Sequence, residues 1–405
     1  MRVFFTPSKA EGTVKAPPSK SMAHRMLLAA GLADGTSIIS NIKISRDIEA
    51  TIDCLRALGA SVEIEGDTAA VTGTDPKNRG QVAALKCRES GSTIRFFLPL
   101  CLLSGMPACL EGTEKLLSRP FSVYENICNE QGLLFEKTEN AIKVCGPLNP
   151  GSFSFRGDIS SQFVTGLLYA LPVLDGDSTI RLIPPVESRS YIDLSLSALK
   201  QFGVTAEWKN ETTLYIPGGQ RFQKNSVSVE GDWSNAVFLE GLNLIGGNVS
   251  VTGLKEDSLQ GDRVYRKMLG ELKNGTPKLD LSDCPDLGPV LFALAAVQNG
   301  AVFTGIERLR LKESDRIEAM REELNKFGAD FSADLHSVTI KPGIRRPAAF
   351  LFGHNDHRIV MALSLLCSYV GGTIDGAEAV EKSFPEFFER LKELGVVLCE
   401  LDQQQ

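Results

Sequence analysis

The chain has 405 residues, with 43 lysines and arginines against 50 aspartates and glutamates, a formal net charge of −7. A hydrophobic content of 43% and a charged content of 23% exclude a disordered or collagen-like chain, and the length suggests two or three domains. The acidic balance argues against nucleic acid or an anionic membrane surface as the main partner. Nine scattered cysteines, odd in number and without a C-x-x-C pair, read as small core residues of a reducing compartment rather than disulfides or zinc ligands.

Along the chain, the first twenty residues carry Lys9, Glu11, Lys15 and Lys20 and no sustained apolar run. No secretory leader is expected, and the cytoplasm is the expected compartment. Near-continuous apolar runs then recur at 26–33, 94–103, 163–171, 236–244, 290–297 and 359–370. They are too short to span a bilayer and predict helices buried on every side. Each is followed by a predicted amphipathic helix ending in glycine; the first has Ile48, Ile52, Leu55 and Leu58 at helical spacing. The terminal glycines are Gly59, Gly132, Gly203, Gly270, Gly328 and Gly395, roughly 67 residues apart on average. Glycine there supplies the left-handed residue that ends a helix. Strand-like runs at 61–64, 226–229 and 337–340 fall between the helices. The class is therefore α/β or α+β, without a G-x-G-x-x-G fingerprint. Six such units exceed one core, so two lobes of three are expected, changing over near 218–225. Low complexity is confined to the terminal Gln403-Gln404-Gln405.

The segments that precede the buried helices are polar, small and often cationic: Ser19-Lys20-Ser21 with Arg25, Ser90-Gly91-Ser92-Thr93-Ile94-Arg95, Ser160-Ser161-Gln162, Asp232-Trp233-Ser234, Pro285-Asp286 and Asn355-Asp356-His357-Arg358. Helix N-termini attract anions through unpaired amides and the helix dipole. Taken singly, each segment reads equally well as a helix cap. The cations Lys20, Arg25, Arg95, Arg119, Lys312, Arg316, Arg358 and Lys382 flank helix starts, where a positive charge opposes the dipole unless an anion intervenes. Their recurrence points to a ligand bearing phosphate and carboxylate groups. Asp286 and Glu313 stand among these cations and are expected to be ionised and available for proton chemistry. His354 and His357 form an H-x-x-H with no third ligand indicated, so hydrogen-bonding roles are favoured over a metal.

In these motifs, together with Ser118-Arg119-Pro120, Ser188 with Tyr191, Lys312-Glu313-Ser314-Asp315-Arg316 and Lys382-Ser383-Phe384-Pro385, the chain resembles the enolpyruvyl transferases, and among them the branch acting on shikimate 3-phosphate. The resemblance implies two similar lobes, each of three βαβαββ repeats, an inverse α/β barrel. The lobes would be 17–225 and 1–16 plus 226–405, with the active site in the cleft between them and the strand near Val3 returning to the second lobe. It implies transfer of the enolpyruvyl group of phosphoenolpyruvate to the 5-hydroxyl of shikimate 3-phosphate, a step toward chorismate and the aromatic amino acids. Shikimate 3-phosphate would be held by Lys20, Ser21, Arg25, Ser160, Ser161, Gln162, Ser188, Tyr191, Asp286 and Lys312. Phosphoenolpyruvate would be held by Lys20, Gly91, Arg119, Gln162, Arg316, Arg358 and Lys382. Asp286, Glu313 and Lys20 would share the acid and base duties, with no metal or organic cofactor, no nucleic acid or membrane partner, and a monomeric enzyme.

Two positions depart from the family pattern. Glu89 stands where Asn is common and Arg308 where Asn is frequent, which puts details of ligand affinity in question. Two alternatives stay open on the residues. A transferase acting on UDP-N-acetylglucosamine is disfavoured by Ser21 and Glu114, where that sister enzyme typically has Asn and Cys. A non-catalytic anion-binding repeat protein would show no dependence on Asp286 or Glu313.

Overall fold

The computed structural model describes residues 1–78 and 80–401; the 403–405 glutamine run lies outside them. The chain forms two compact units, Pro18–Glu230 and Met1–Pro17 with the chain from Gly231 onward. The division falls after Glu230 rather than after 225, because Ser226–Ser228 pairs in parallel with Ile38–Ser40 and so completes the first sheet of the Pro18–Glu230 unit.

That unit contains helices α1 (Lys20–Gly31), α2 (Arg46–Ala57), α3 (Gly91–Cys101), α4 (Glu114–Leu117), α5 (Ser122–Gln131), α6 (Ser161–Ala170) and α7 (Arg189–Gln201). The other contains α8 (Trp233–Glu240), α9 (Tyr265–Asn274), α10 (Gly288–Val297), α11 (Arg316–Phe327), α12 (His357–Val370) and α13 (Phe387–Glu393). The apolar runs of the sequence are α1, α3, α6, α8, α10 and α12. In α10 the side chains of Val290 to Ala296 are wholly inaccessible, and each such Leu or Phe contributes about 1.5–3 kcal/mol by leaving water. Within its own unit α3 packs on α6, and α10 on α12.

The sheets repeat one plan. Ala83–Lys86 pairs in parallel with Ala108–Glu111 across α3, Ser152–Arg156 with Ser178–Ile183 across α6, Lys278–Asp280 with Ala301–Thr304 across α10, and Leu351–Phe352 with Gly372–Asp375 across α12. Two antiparallel strands complete each of these sheets. The repeats that begin with α1 and α8 exchange the strands that precede their helices in the chain, Glu11–Lys15 and Ser226–Ser228. Ser226–Ser228 serves the α1 repeat, and Glu11–Lys15 serves the α8 repeat by pairing with Asn248–Thr252. Arg2–Phe5 lies between Gly372–Asp375 and Leu398–Leu401, as expected for the strand near Val3. Among the described residues no helix is long and apolar enough to cross a membrane.

Five of the six expected terminal glycines are left-handed: Gly59 (φ 103°), Gly132 (68°), Gly203 (76°), Gly328 (84°) and Gly395 (86°). The sixth is a correction. Gly270 sits inside α9, which runs on to Asn274, and a Cβ placed on it meets nothing within 4 Å. Gly270→Ala is therefore expected to raise stability by about 0.5–1 kcal/mol, whereas Gly328→Ala, forced into a left-handed conformation, is expected to lower it by about 1–2 kcal/mol. Urea denaturation of the two variants measures the contrast.

Candidate active site

The starts of five buried helices are capped by their own side chains. Ser19 accepts from Met22 N (3.4 Å), Ser90 from Thr93 N (3.2 Å), Ser160 from Gln162 N (3.3 Å), Asp232 from Asn235 N (2.8 Å) and Asp356 from Arg358 N (2.9 Å). The capping reading thus holds for these segments, and the anion-seeking character rests on the cations beside them. The exception is α10. Asp286 lies in the single 3₁₀ turn before it, and the helix start has no side-chain cap, so this carboxylate is turned to other work.

In the Pro18–Glu230 unit, Lys20 opens α1 and its Nζ pairs with Asp47 Oδ2 on α2 at 2.9 Å. One turn on, Arg25 is 3% exposed. Its Nη1 donates to the Ser21 carbonyl (2.7 Å), Nε to Ser195 Oγ (2.9 Å), and Nη2 to the Tyr191 carbonyl (3.0 Å) and Thr165 Oγ1 (3.3 Å). All of these are neutral oxygens. Burial pulls the guanidinium down to about 10, still charged at neutral pH, and a buried cation with no carboxylate partner among the described residues is a strong attractor for an anion. Ser188, left-handed at φ 54° and buried, starts α7 just ahead of Tyr191. Beside Arg25, His24 is held neutral by burial and by the charges of Lys20 and Arg25. Its Nδ1 meets Thr51 Oγ1 (2.7 Å), which meets Thr93 Oγ1 (2.8 Å), which reaches Ser90 Oγ (2.7 Å). This chain of hydrogen bonds ties α1, α2 and the Ser90-Gly91 turn together.

Gly91 is where several expected residues converge. A Cβ there would stand 2.8 Å from Arg119 Nη1, 3.3 Å from Arg95 Nη1 and 3.6 Å from Gln162 Oε1. Arg95 Nη1 donates to Gln162 Oε1 (2.6 Å), and Gln162 Nε2 donates to Ser92 Oγ (3.1 Å). Ser160 and Ser161 adjoin Gln162 at the same helix start. The half-buried Glu89 follows Arg88, which is left-handed and paired to Glu49 and Asp53 of α2. In Gly91→Ala the methyl meets the flexible tip of Arg119 rather than backbone, so stability should change little. The displaced guanidinium is expected to raise KM for an anionic substrate bound at this turn about tenfold or more, read from initial rates.

The other unit gathers Asp286, Lys312, Glu313, Arg316 and Arg358. Asp286 Oδ1 accepts from Arg316 Nη1 (2.8 Å) and lies 3.3 Å from Lys312 Nζ, while Oδ2 accepts from Arg358 Nη2 (3.0 Å). Burial alone would raise the Asp286 pKa, but Arg358, Lys312 and Arg316 outweigh it and hold the carboxyl well below the usual range. Burial pulls the Lys312 ammonium below the usual lysine range against the opposing pull of Asp286. Arg316, 1% exposed, also donates through Nη2 to Glu313 Oε2 (2.8 Å) and through Nε to Asp356 Oδ2 (2.8 Å). Three carboxylates thus claim most of its fork, leaving one N–H of Nη1 for a ligand oxygen. Arg358 is fixed by the Ser234 carbonyl (3.0 Å) and hydroxyl (2.7 Å). Lys382 is buried and its Nζ donates to the Asn355 carbonyl (2.7 Å). Arg308 is buried and donates to the Ser282 carbonyl.

Sequence reasoning assigned no role to Asp47, Ser234 or Asp356. Asp47 looked like an ordinary acid in a first helical turn, where the dipole favours it. Asp356 lay inside a quoted motif, yet nothing local marks it as the partner of an arginine 40 residues away.

The family model for EPSP synthase (3-phosphoshikimate 1-carboxyvinyltransferase) matches residues 5–391. The chain is 38% identical to the 3-phosphoshikimate 1-carboxyvinyltransferase of Clostridium novyi (strain NT) over 97% of each chain. It is 37% identical to that of Clostridium perfringens (strain ATCC 13124), covering 98% of this chain and 99% of the relative. Its fold is similar to EPSP synthase from Acinetobacter baumannii, with a TM-score of 0.79 and 20% identity over 98% of this chain and 100% of that one. It is also similar to the enolpyruvyl transferase NikO from Streptomyces tendae, with a TM-score of 0.77 and 15% identity over 98% of both. The family model covers nearly the whole chain, and the two enzymes at 38% and 37% identity are matched over nearly their full length: the chain belongs to the EPSP synthase family.

Proposed function

We infer that this chain transfers the enolpyruvyl group of phosphoenolpyruvate to the 5-hydroxyl of shikimate 3-phosphate, releasing phosphate, in the shikimate pathway. The observation that carries the reading is Asp286, a carboxylate kept ionised inside a ring of three cations. Its basicity rises as bound anions draw the three cations off it, and it can then take a proton. Shikimate 3-phosphate is assigned to Lys20, Ser21, Arg25, Ser160, Ser161, Gln162, Ser188 and Tyr191 of one unit and to Asp286 and Lys312 of the other. The buried charge of Arg25 supports the phosphate end of this assignment. Phosphoenolpyruvate is assigned to Lys20, Gly91, Arg119, Gln162, Arg316, Arg358 and Lys382.

In the proposed addition, Asp286 takes the proton of the 5-hydroxyl as its oxygen bonds to the central carbon of phosphoenolpyruvate. Lys20, or Glu313 when it enters the step protonated, delivers a proton to the methylene carbon, which becomes a methyl group. A tetrahedral intermediate results. A methyl proton then returns to the group that supplied it, and the proton held by Asp286 leaves with the phosphate as the carbon–oxygen bond breaks, giving the vinyl ether. Arginines oriented beforehand stabilise the charge at both steps. The enzyme is proposed to act as a monomer in the cytoplasm.

Phosphate release from phosphoenolpyruvate, measured with shikimate 3-phosphate and separately with UDP-N-acetylglucosamine, tests the reading. Release with shikimate 3-phosphate alone is expected. Release with only the UDP-sugar overturns the acceptor, and release with neither overturns the enzyme.

A further inference from the structure

We propose that His354 and Glu323 are positioning residues for the phosphoenolpyruvate site, holding the turn whose carbonyl fixes Lys382; this rests on the assignment of Lys382 made above. Gly353–Asp356 is a tight turn closed by Asp356 N donating to the Gly353 carbonyl (2.9 Å). Its two central residues, His354 (φ 48°) and Asn355 (φ 52°), are both left-handed, the φ signature of a type I′ turn. Asparagine adopts that conformation readily, but histidine there needs support from its surroundings.

Glu323 on α11 supplies the support. Its side chain is 1% exposed. Oε1 faces His354 Nε2 at 2.8 Å, and Oε2 accepts from Phe352 N at 3.0 Å. Because it faces a carboxylate, Nε2 carries the proton. One buried carboxylate therefore grips both the strand entering the turn and its first central residue. The second central residue presents its carbonyl to Lys382 Nζ at 2.7 Å, and Asp356, next in the chain, holds Arg316 and caps α12. The turn thus passes the position of a buried anchor to the lysine. Glu322, Glu323 and His354 also stand close enough to share a cation. Both Glu323 oxygens, however, already accept from Lys326 Nζ at 2.8 Å as well as from the turn, so neither is left open for a cation.

The test compares His354→Asn, which suits the left-handed backbone but is too short to reach Glu323, with His354→Gln, which restores a donor at the right distance. His354→Asn is expected to raise KM for phosphoenolpyruvate roughly tenfold, with kcat and KM for shikimate 3-phosphate within about twofold of wild type. His354→Gln is expected to return the phosphoenolpyruvate KM to within about twofold of wild type. Should His354→Asn fail to fold, Glu323→Gln, which removes the charge but keeps the shape, is read in its place against the same expectation. An unchanged phosphoenolpyruvate KM overturns the proposal, as does an equal rise for both substrates or a failure of His354→Gln to rescue. Lys382→Met is measured alongside. If it leaves the phosphoenolpyruvate KM unaltered, the assignment of Lys382 itself falls; if it raises that KM while His354→Asn does not, only the positioning role falls.

Discussion

Asp286→Ala is expected to keep shikimate 3-phosphate bound, weakened by no more than about tenfold, while turnover falls by about 10²- to 10⁴-fold. The first part follows because Arg25 and its partners lie in the other unit and are untouched by the change. The second follows because Asp286 is in contact with Arg316, Arg358 and Lys312 together, and alanine offers no group to take the proton. Isothermal titration with shikimate 3-phosphate and steady-state phosphate release measure the two halves. Turnover within a few fold of wild type would remove Asp286 from the chemistry.

The same residue carries a pH signature. Its pKa in the folded chain lies well below the ordinary value of 3.8, so it contributes stability that is fully present above that value. The contribution is lost as pH falls from about 3.8 toward the depressed folded pKa. The melting temperature of wild type should therefore exceed that of Asp286→Asn at pH 6, and the gap should narrow below about pH 4. A gap that widened on acidification would contradict the cation ring as the cause.

The largest stability effect is expected at Asp356, which is wholly inaccessible and serves three partners. It holds Arg316 Nε at 2.8 Å, accepts from Ser314 Oγ at 3.0 Å and caps α12 through Arg358 N at 2.9 Å. Asp356→Ala removes one of the three carboxylates that hold the buried Arg316 guanidinium, a loss of about 1.5–3 kcal/mol, and the lost cap adds roughly 1 kcal/mol. The melting temperature should fall by on the order of 10 °C. Asp356→Asn keeps the cap and the shape and should lose less. A scanning fluorimetry shift under 2 °C for the alanine variant would show that Arg316 finds its balance elsewhere.

The sequence was most legible where the physics is local. Helix burial, terminal glycines and alternating strands each depend on neighbours a few residues apart, so the repeat could be counted without a structure. The one error in that count came from the same source. Leu269-Gly270 has the letters of a helix end, but whether a glycine ends a helix is settled by its φ, and Gly270 stays helical. The lobe boundary slipped for a different reason. Ser226–Ser228 joins a strand nearly 190 positions earlier, and pairing over that distance leaves no trace in local composition.

By itself, then, the sequence determined the repeated architecture and the cationic inventory: which side chains are positive, and that they cluster at helix starts where only an anion makes them comfortable. Tertiary structure alone decided how those charges are shared. It set Arg25 among neutral oxygens, committed Arg316 to three carboxylates, and linked Lys382 to a buried glutamate through a strained turn. The reason is that electrostatic and hydrogen-bond energies depend on distance in space and on removal from water, and neither is written in the order of residues along a chain.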